Sequence, residues 1–302
     1  MYKESNGRLT IIVQCDMKKF VSLLLTGIFV TLSCIKPGDN SPKEHYLKFL
    51  SYGGPVTKGQ IPFTTGNRSS ILVFEADSLC GYFGGTPVLA TGVADGELVT
   101  QNSIALVKGC YDIYSVSLNN SQDPSMVFEN GLSTELENGR DYLWAAQKNI
   151  TVNSDKVIVF NYRRLASLVT LKVKADTSIK NLIIRDMKLS APKTDSIYMN
   201  LSQGIINSSN ASGSLISLNG SGSERSVIIV PKEGSTYLEI EVDATINGLD
   251  VTEKKYSAVL DIEFTSGNSY QIELEIVSDK IAVVTTTVSE WRLKNNLVIY
   301  NR

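Results

Sequence analysis

The sequence predicts an all-β protein, built as one sandwich or a pair of them, and three observations carry that prediction. Apolar and polar residues alternate with period two through most of the second half. Turn-forming clusters separate the alternating runs. No segment shows a long apolar stripe at helical spacing. In LVTLKVKA, Val169, Leu171 and Val173 alternate with Thr170, Lys172 and Lys174; in YLEIEVDATI, Leu238, Ile240 and Val242 stand against Glu239, Glu241 and Asp243. YSAVLDIEF and YQIELEIV repeat the pattern on either side of TSGNS, and this spacing reads as a β-hairpin. Each such strand buries one face and wets the other, as in an antiparallel sheet packed on one side.

The first half follows the same grammar less cleanly. Ile71–Ala76, Leu98–Val107, Asp112–Leu118 and Val157–Phe160 are the strand candidates, each bounded by turn-rich sequence. The Ser/Asn/Gly-rich run from Gln203 to Ser226 reads as a long surface excursion. A boundary near Arg163–Arg164 divides the chain into two β-rich parts, 56–163 and 164–302, and no internal repeat is visible.

Ahead of these parts lies a different grammar. MKKFVSLLLTGIFVTLSC starts at Met17 with two lysines, carries no charge from Phe20 to Ser33 and ends on Cys34. The apolar run is short for a bilayer span, which takes about 20 residues, and its basic head and small-residue exit match a signal peptide. The segment resembles a bacterial lipoprotein signal, in which cleavage falls before a cysteine that then carries lipid; ordinary signal cleavage is the rival reading. Residues 1–33 are therefore expected to be removed, with the true start at Met17 and MYKESNGRLTIIVQCD an upstream extension. Cys34 is the expected lipid anchor. The polar, Pro/Gly-containing stretch that follows it, IKPGDNSPKE, opens an expected tether over 34–55.

Composition narrows the function by exclusion. With 29 Lys and Arg against 31 Asp and Glu, the chain offers nucleic acid no basic field. Its one histidine, His45, sits in or near the expected tether, which leaves no His-based triad and no multi-histidine metal site. There is no phosphate-binding G-x-x-x-x-G-K-[ST] and no dinucleotide fingerprint; GGTPVLATG reads as turn chemistry. Glu239, Glu241, Glu273 and Glu275 alternate along strands and so line a solvent face, not a catalytic pair. Trp144 and Trp291 are read as packing residues, with a sugar-stacking platform as the alternative. No cofactor is implied and the chain reads as a non-enzyme. Cys80 and Cys110, the two cysteines of the folded part, are either a disulfide or a pair of buried thiols in an oxidising compartment.

Particular residues add a resemblance. NGRDYLWAAQKNITVNSDKVIVFNYRRLASLVTLKV, with Tyr142-Leu143-Trp144-Ala145, then Phe160 and Leu165-Ala166, resembles a stretch of the fimbrillin-like proteins of Bacteroidota. Where that family often carries histidine two places after the phenylalanine, this chain has Tyr162. IIVPKEG with Pro231, then Tyr270-Gln271-Ile272 and Ser289-Glu290-Trp291, resemble the family's later strands and terminal tryptophan.

The resemblance implies two β-sandwich-like (transthyretin-like) domains in tandem, exported as a lipoprotein to the outer membrane and exposed on the surface. It also implies a fimbrial subunit or fimbria-associated lipoprotein, with other fimbrial subunits as partners in a homo- or hetero-polymer and host or bacterial surface ligands as adhesion targets. A surface glycan-binding lipoprotein is the alternative reading and a carboxylate hydrolase the remote one. In polymerising members a trypsin-like protease cuts after Arg or Lys, removes the first strand, and the groove accepts a strand from another subunit. Arg68, in TTGNRSSILVFEA directly before the Ile71–Ala76 strand, is the first candidate for that cut and Lys58 the second. Leu293, Leu297 and Ile299 form an alternating candidate donor strand interrupted by Asn295; a plain closing strand reads equally well. Ser78 and Ser196, in Asp-Ser-Leu and Asp-Ser-Ile, resemble the Asp-Ser/Thr-apolar O-glycosylation acceptors of Bacteroidota.

Overall fold

The computed structural model describes residues 42–53, 61–76, 87–208 and 213–291. The signal segment with Cys34, and Lys58, Ser78, Cys80, Leu293, Leu297 and Ile299, lie outside the described residues. The first part contributes β1 (Glu44–Gly53), β2 (Ile61–Pro62), β3 (Arg68–Glu75), β4 (Val88–Gly92), β5 (Glu97–Thr100), β6 (Ala105–Val107), β7 (Gly109–Ser117), β8 (Phe128–Glu129), β9 (Leu132–Ser133), β10 (Leu143–Val152) and β11 (Lys156–Arg164). The second contributes β12 (Ser167–Ala175), β13 (Ile179–Pro192), β14 (Tyr198–Asn200), β15 (Ile205–Asn207), β16 (Gly213–Ser217), β17 (Asn219–Ser221), β18 (Glu224–Ile229), β19 (Thr236–Ile246), β20 (Leu249–Leu260), β21 (Asn268–Val277) and β22 (Lys280–Glu290).

The fold is all-β, as the alternation predicts. In the first part the ladder runs β11–β10–β7–β3–β4–β5–β1, and β1 then pairs with β11, so seven strands close into a ring; β2 and β6 attach to β1. Closure leaves no sheet edge within those seven strands. The sequence expectation of sandwiches does not specify this closure, because a period-two pattern fixes which face is buried but not whether the last strand meets the first. Ring closure does correct the tether. Residues 44–53, expected to be linker, form β1, whose alternation places His45, Leu47, Phe49, Ser51 and Gly53 on the buried face. Two of those five are polar, which hid the strand from a hydrophobicity reading.

Strands β3 and β7 are buried on both faces. Ile71, Val73 and Ile113 point into the ring with Phe49, Leu143 and Phe160. Leu72, Phe74, Tyr114 and Val116 point outward, where they pack with Met199, Ile206 and Val230 of the second part. Two-sided burial makes ILVF, residues 71–74, a continuous apolar run, so the first half shows little alternation. Leu98–Val107, expected as one strand, is two, β5 and β6, broken by a bend at Gln101–Asn102. Val88–Gly92, expected as turn, is β4.

The second part is a two-layer sandwich. A five-stranded sheet, β17–β18–β12–β21–β22, faces a four-stranded one, β16–β13–β19–β20. Val169, Leu171, Ile272 and Leu274 of the first interdigitate with Met187, Leu189, Ile240 and Val242 of the second. The expected hairpin across TSGNS is not formed: β20 pairs with β19 in one sheet, while β21 lies between β12 and β22 in the other. The hairpin lies one strand earlier, β19–β20, closed by Asn247-Gly248 with φ of 52° and 83°, which matches the preference of a two-residue turn with both φ positive. The run 203–226, expected as surface excursion, contributes β15, β16 and β17 and the start of β18. A small four-stranded sheet, β15–β14–β9–β8, ties the two parts together through Asn200↔Leu132.

At one end of the ring the interior turns polar. Tyr162, fully buried, lies 2.6 Å from the Ser115 hydroxyl, and Phe63 packs on its ring at a 5.0 Å centroid distance. Burial raises the Tyr162 phenol to about 12, opposed by its hydrogen bond with Ser115. Burial raises Tyr142 to about 12 as well. With folded values above the unfolded one near 10, the neutral phenols contribute stability that is complete below about pH 10 and lost as pH rises toward 12. Alkaline unfolding is expected to begin in that window. Absorbance at 295 nm followed against circular dichroism should show both phenolates appearing with loss of structure. Ionisation of all tyrosines near pH 10 in a still-folded chain would refute it.

Candidate functional site

The element that positions a functional site is the ring-closing strand. β1 runs parallel to β11 from Leu47↔Lys156 to Gly53↔Tyr162, and antiparallel to β5 and β6 on its other side. Phe49 stacks on Phe160 with ring centroids 5.8 Å apart and planes within 6°. The Leu47 amide donates to Ile104 O at 3.0 Å, the Ser51 hydroxyl donates to Gly96 O at 3.0 Å, and the Tyr46 amide donates to Asp155 Oδ1 at 3.0 Å. His45, expected in the tether, is 7% exposed on this strand, with Nδ1 4.0 Å from Asp155 Oδ1. Among the described residues no second layer covers the outer side of this wall: Tyr46 is 53%, Val99 50% and Val157 52% exposed.

Arg68 lies in the chain after β1, as the first residue of β3, not in a loop ahead of it. Its position there comes from a clasp formed by the segment 117–123. The Arg68 amide donates to Asn120 O at 2.8 Å, and its carbonyl accepts from the Ser117 hydroxyl at 2.6 Å. Its guanidinium pairs with Asp123 Oδ1 at 2.6 Å. The preceding side chain, Asn67, donates to Asn119 Oδ1 at 3.0 Å. Asn119 adopts a left-handed φ of 52° and its amide donates to the same Ser117 hydroxyl at 3.0 Å. Ser69, across the candidate scissile bond, is fully buried. The turn propensity of TTGN correctly marks residues 64–67, but pairing with β4 and β7 begins at Arg68 and Ser69.

Behind the clasp sits a buried ion pair that sequence reasoning missed. Asn119 Nδ2 donates to Asp141 Oδ2 at 2.7 Å. Arg164 meets the same carboxylate with Nε at 2.9 and 3.0 Å from its two oxygens and Nη2 at 2.8 Å. The side chains of Arg164 and Asp141 are 7% and 10% exposed. Arg164 Nη1 donates to Trp291 O at 3.1 Å, and the guanidinium lies 4.2 Å from the Trp291 ring centroid. The Trp291 amide continues the β21–β22 ladder by donating to Gly267 O at 2.7 Å. An aspartate twenty-odd residues before an arginine carries no sequence signal of pairing; the register of β10 on β11 creates it.

Trp144 is held in the same manner. Its Nε1 donates to Leu201 O at 2.8 Å, and Arg163 lies 4.5 Å over its ring while bonding Gln203 O and Gly204 O. Gly204, at φ +62°, passes against the indole where a Cβ would collide. Both tryptophans are half-buried with a guanidinium on the ring, so neither offers the open flat platform that a sugar needs. The alternating acids lie on outer sheet faces as expected: Glu239 pairs with Lys188 and Lys255, and Glu273 with Lys174. Among the described residues no three His, Cys, Asp or Glu side chains are grouped to hold a metal. Cys110 is exposed at the start of β7, and Ser196 ends the short 3-10 turn Thr194–Ser196.

A ring closed by one N-terminal strand, joined to a sandwich and framed by structural ion pairs, defines a strand-built structural protein. The fimbrillin-like family profile matches residues 93–291. The chain belongs to the fimbrillin-like family. It is similar in fold to a candidate cell adhesion protein from Bacteroides uniformis, with a TM-score of 0.59 at 14% identity over 82% of this chain and 99% of that one. A second such protein, from Bacteroides ovatus, gives 0.56 at 12% identity over 84% and 100% of the two chains. A third, from Bacteroides fragilis, gives 0.53 at 10% over 85% and 100%. No curated protein matches the chain.

Removing one member of a buried ion pair leaves the other charge unpaired and costs about 3–5 kcal/mol. Asp141→Ala is expected to lose stability on that scale in urea denaturation, far more than Asp123→Ala, whose half-exposed pair with Arg68 is worth about 0–1 kcal/mol. Equal losses in the two variants would refute the placement of Arg164 and Asp141 as the buried pair.

Proposed function

We infer that this chain is a fimbrial subunit or fimbria-associated surface protein that contributes to adhesion and assembles through strand exchange at the β1 site. The observation that carries the reading is that one N-terminal strand closes the ring on the wall that no other layer of the described residues covers. Taking β1 away leaves β11 and β5 as open edges flanking a groove lined by apolar side chains. A strand from another subunit restores main-chain hydrogen bonds and refills the core. Family membership and the adhesion-protein descriptions of the structural relatives support the same reading. The surface location follows from export and from lipid on Cys34, which tethers the chain to the outer membrane.

Within this reading the ring and the sandwich act as two sandwich-like bodies with their boundary near Arg163–Arg164. Each has a hydrophobic cluster of its own, and a third cluster is shared. Arg68 and Lys58 are the processing candidates, and they differ in consequence. A cut after Arg68 removes Phe63, which is 1% exposed in the ring interior, together with β1. A cut after Lys58 leaves Phe63 in the chain. The donor set Leu293, Leu297 and Ile299 supplies the strand for a neighbouring subunit.

The test is the mature N-terminus, read by mass spectrometry on sheared fimbriae and on outer membranes. Chains beginning at Ser69 are expected in the fimbrial fraction, and chains beginning at a lipidated Cys34 in the membrane fraction. An intact Met1 confined to the soluble fraction, with none of the chain at the surface, would overturn the reading.

A further inference from the structure

The Arg68–Ser69 bond and the root of the C-terminal segment are joined by one unbroken chain of hydrogen bonds. It runs from the Trp291 carbonyl to Arg164, on to Asp141, then to Asn119. From Asn119 it divides, reaching Asn67 through the side chain and the Ser117 hydroxyl through the amide. That hydroxyl donates to the Arg68 carbonyl itself. The two ends are far apart in sequence, yet no member of the path needs a bridging water.

A protease of the trypsin class binds its substrate as an extended strand, so residues around Arg68 must leave β4 and β7 before the bond can be cut. The Arg68 guanidinium must also leave Asp123 to enter a specificity pocket. Cleavage of a transiently opened segment follows the population of the open form when reclosing is fast. Whatever holds segment 117–123 in place therefore sets the cleavage rate. That segment is held from behind by Asp141, and Asp141 is oriented by Arg164, whose guanidinium also meets the ring and carbonyl of Trp291.

We propose that segment 117–123 is a clasp that keeps the Arg68–Ser69 bond inside the ring, and that Trp291 sets its strength through Arg164 and Asp141. Displacing the chain at Trp291 then opens the bond to proteolysis. Seating of Trp291 and processing at Arg68 are thereby coupled, with the intact clasp protecting an unassembled chain. This regulation rests on the proposal that Arg68 is the processing site.

The test uses the exported chain with Cys34→Ser, so that it is released in soluble form, under limited trypsin digestion. The Ser69 N-terminus is followed over time by mass spectrometry, and cleavage after Lys255 in β20 serves as an internal reference. Trp291→Ala leaves every direct contact of Arg68 in place, and Asn119→Ala breaks the path at its branch. Both are expected to speed the appearance of the Ser69 terminus about tenfold or more relative to the Lys255 reference, through the raised population of the open form. Equal rates in wild type and Trp291→Ala, or equal acceleration at both sites, would overturn the coupling and leave Arg68 as the processing site. Release of β1 without any Ser69 terminus, in wild type and variants alike, would overturn the Arg68 assignment and the coupling with it.

Discussion

The parallel ladder between β1 and β11 is the constraint on which the first part of this protein depends. Every other pairing in the ring is antiparallel. The β1–β11 pairing joins the first strand to the last, across more than a hundred residues, and without it the other six strands form an open sheet. Its location matters as much as its closure. β3, β7 and β10 carry the packing against the second part on their outer faces, so removing any of them would break two hydrophobic clusters at once. β1 has solvent on its outer face and belongs to one cluster. Its departure leaves the cluster shared by the two parts intact.

That contact is organised by polar groups as well as by packing. The Arg164–Asp141 pair is almost dry, and desolvation of two charges offsets much of their attraction, so the pair is a poor source of net stability compared with a hydrophobic filler. What it contributes is geometry. A guanidinium with five donors holds one carboxylate, one main-chain carbonyl and one indole face in fixed relation. The carboxylate comes from the end of the β9–β10 connection, the carbonyl and the indole both from Trp291 directly after β22, and the guanidinium itself stands on β11. A leucine could fill the space but could not fix the register of three segments. Arg163, one residue earlier on the opposite face of β11, does the same for Trp144 and the β14–β15 turn. Two adjacent arginines thus point to opposite sides of one strand and clamp two different tryptophans.

How much of this was legible follows from what a linear pattern can encode. Alternation in LVTLKVKA, YLEIEVDATI and YQIELEIV announced strands with one wet face, and the lysine–glutamate pairs on that face bear it out. Which strand pairs with which was not encoded there. β20 and β21 are consecutive and both alternate, yet they belong to opposing sheets, because the connection 261–267 spans the sandwich instead of turning within a sheet. The true hairpin carried a sharper signal, Asn247-Gly248, which alternation alone outweighed. In the first part the signal failed for two physical reasons. β3 is buried on both faces, so it does not alternate. β1 alternates in burial but not in chemistry, with His45 and Ser51 inside and Tyr46 and Leu50 on the other face. Arg164 and Asp141 were invisible, since a buried charge is recognisable only once its partner is placed.

The chemistry of β1 also states what any strand in its place must satisfy. Along the ladder, small residues on β1 stand opposite large aromatic ones on β11: Ser51 faces Phe160 and Gly53 faces Tyr162. Phe160 and Tyr162 are fully or almost fully buried, so no volume is available there for a larger side chain. Gly96 reinforces the limit from the other side, because at φ +80° its Cα lies so near the strand that a Cβ would sit 2.5 Å from the Ser51 carbonyl. Toward the start of the strand the larger residues lie on β1, with Leu47 opposite Lys156 and Phe49 opposite Ile158. The groove is therefore tapered, broad and apolar near Leu47 and narrow near Gly53, where the neighbouring interior carries the Tyr162 and Ser115 hydroxyls. Alternating hydrophobicity alone does not satisfy such a groove. A fitting strand needs its bulk at one end and small residues at the other, and that asymmetry fixes its direction as well as its register.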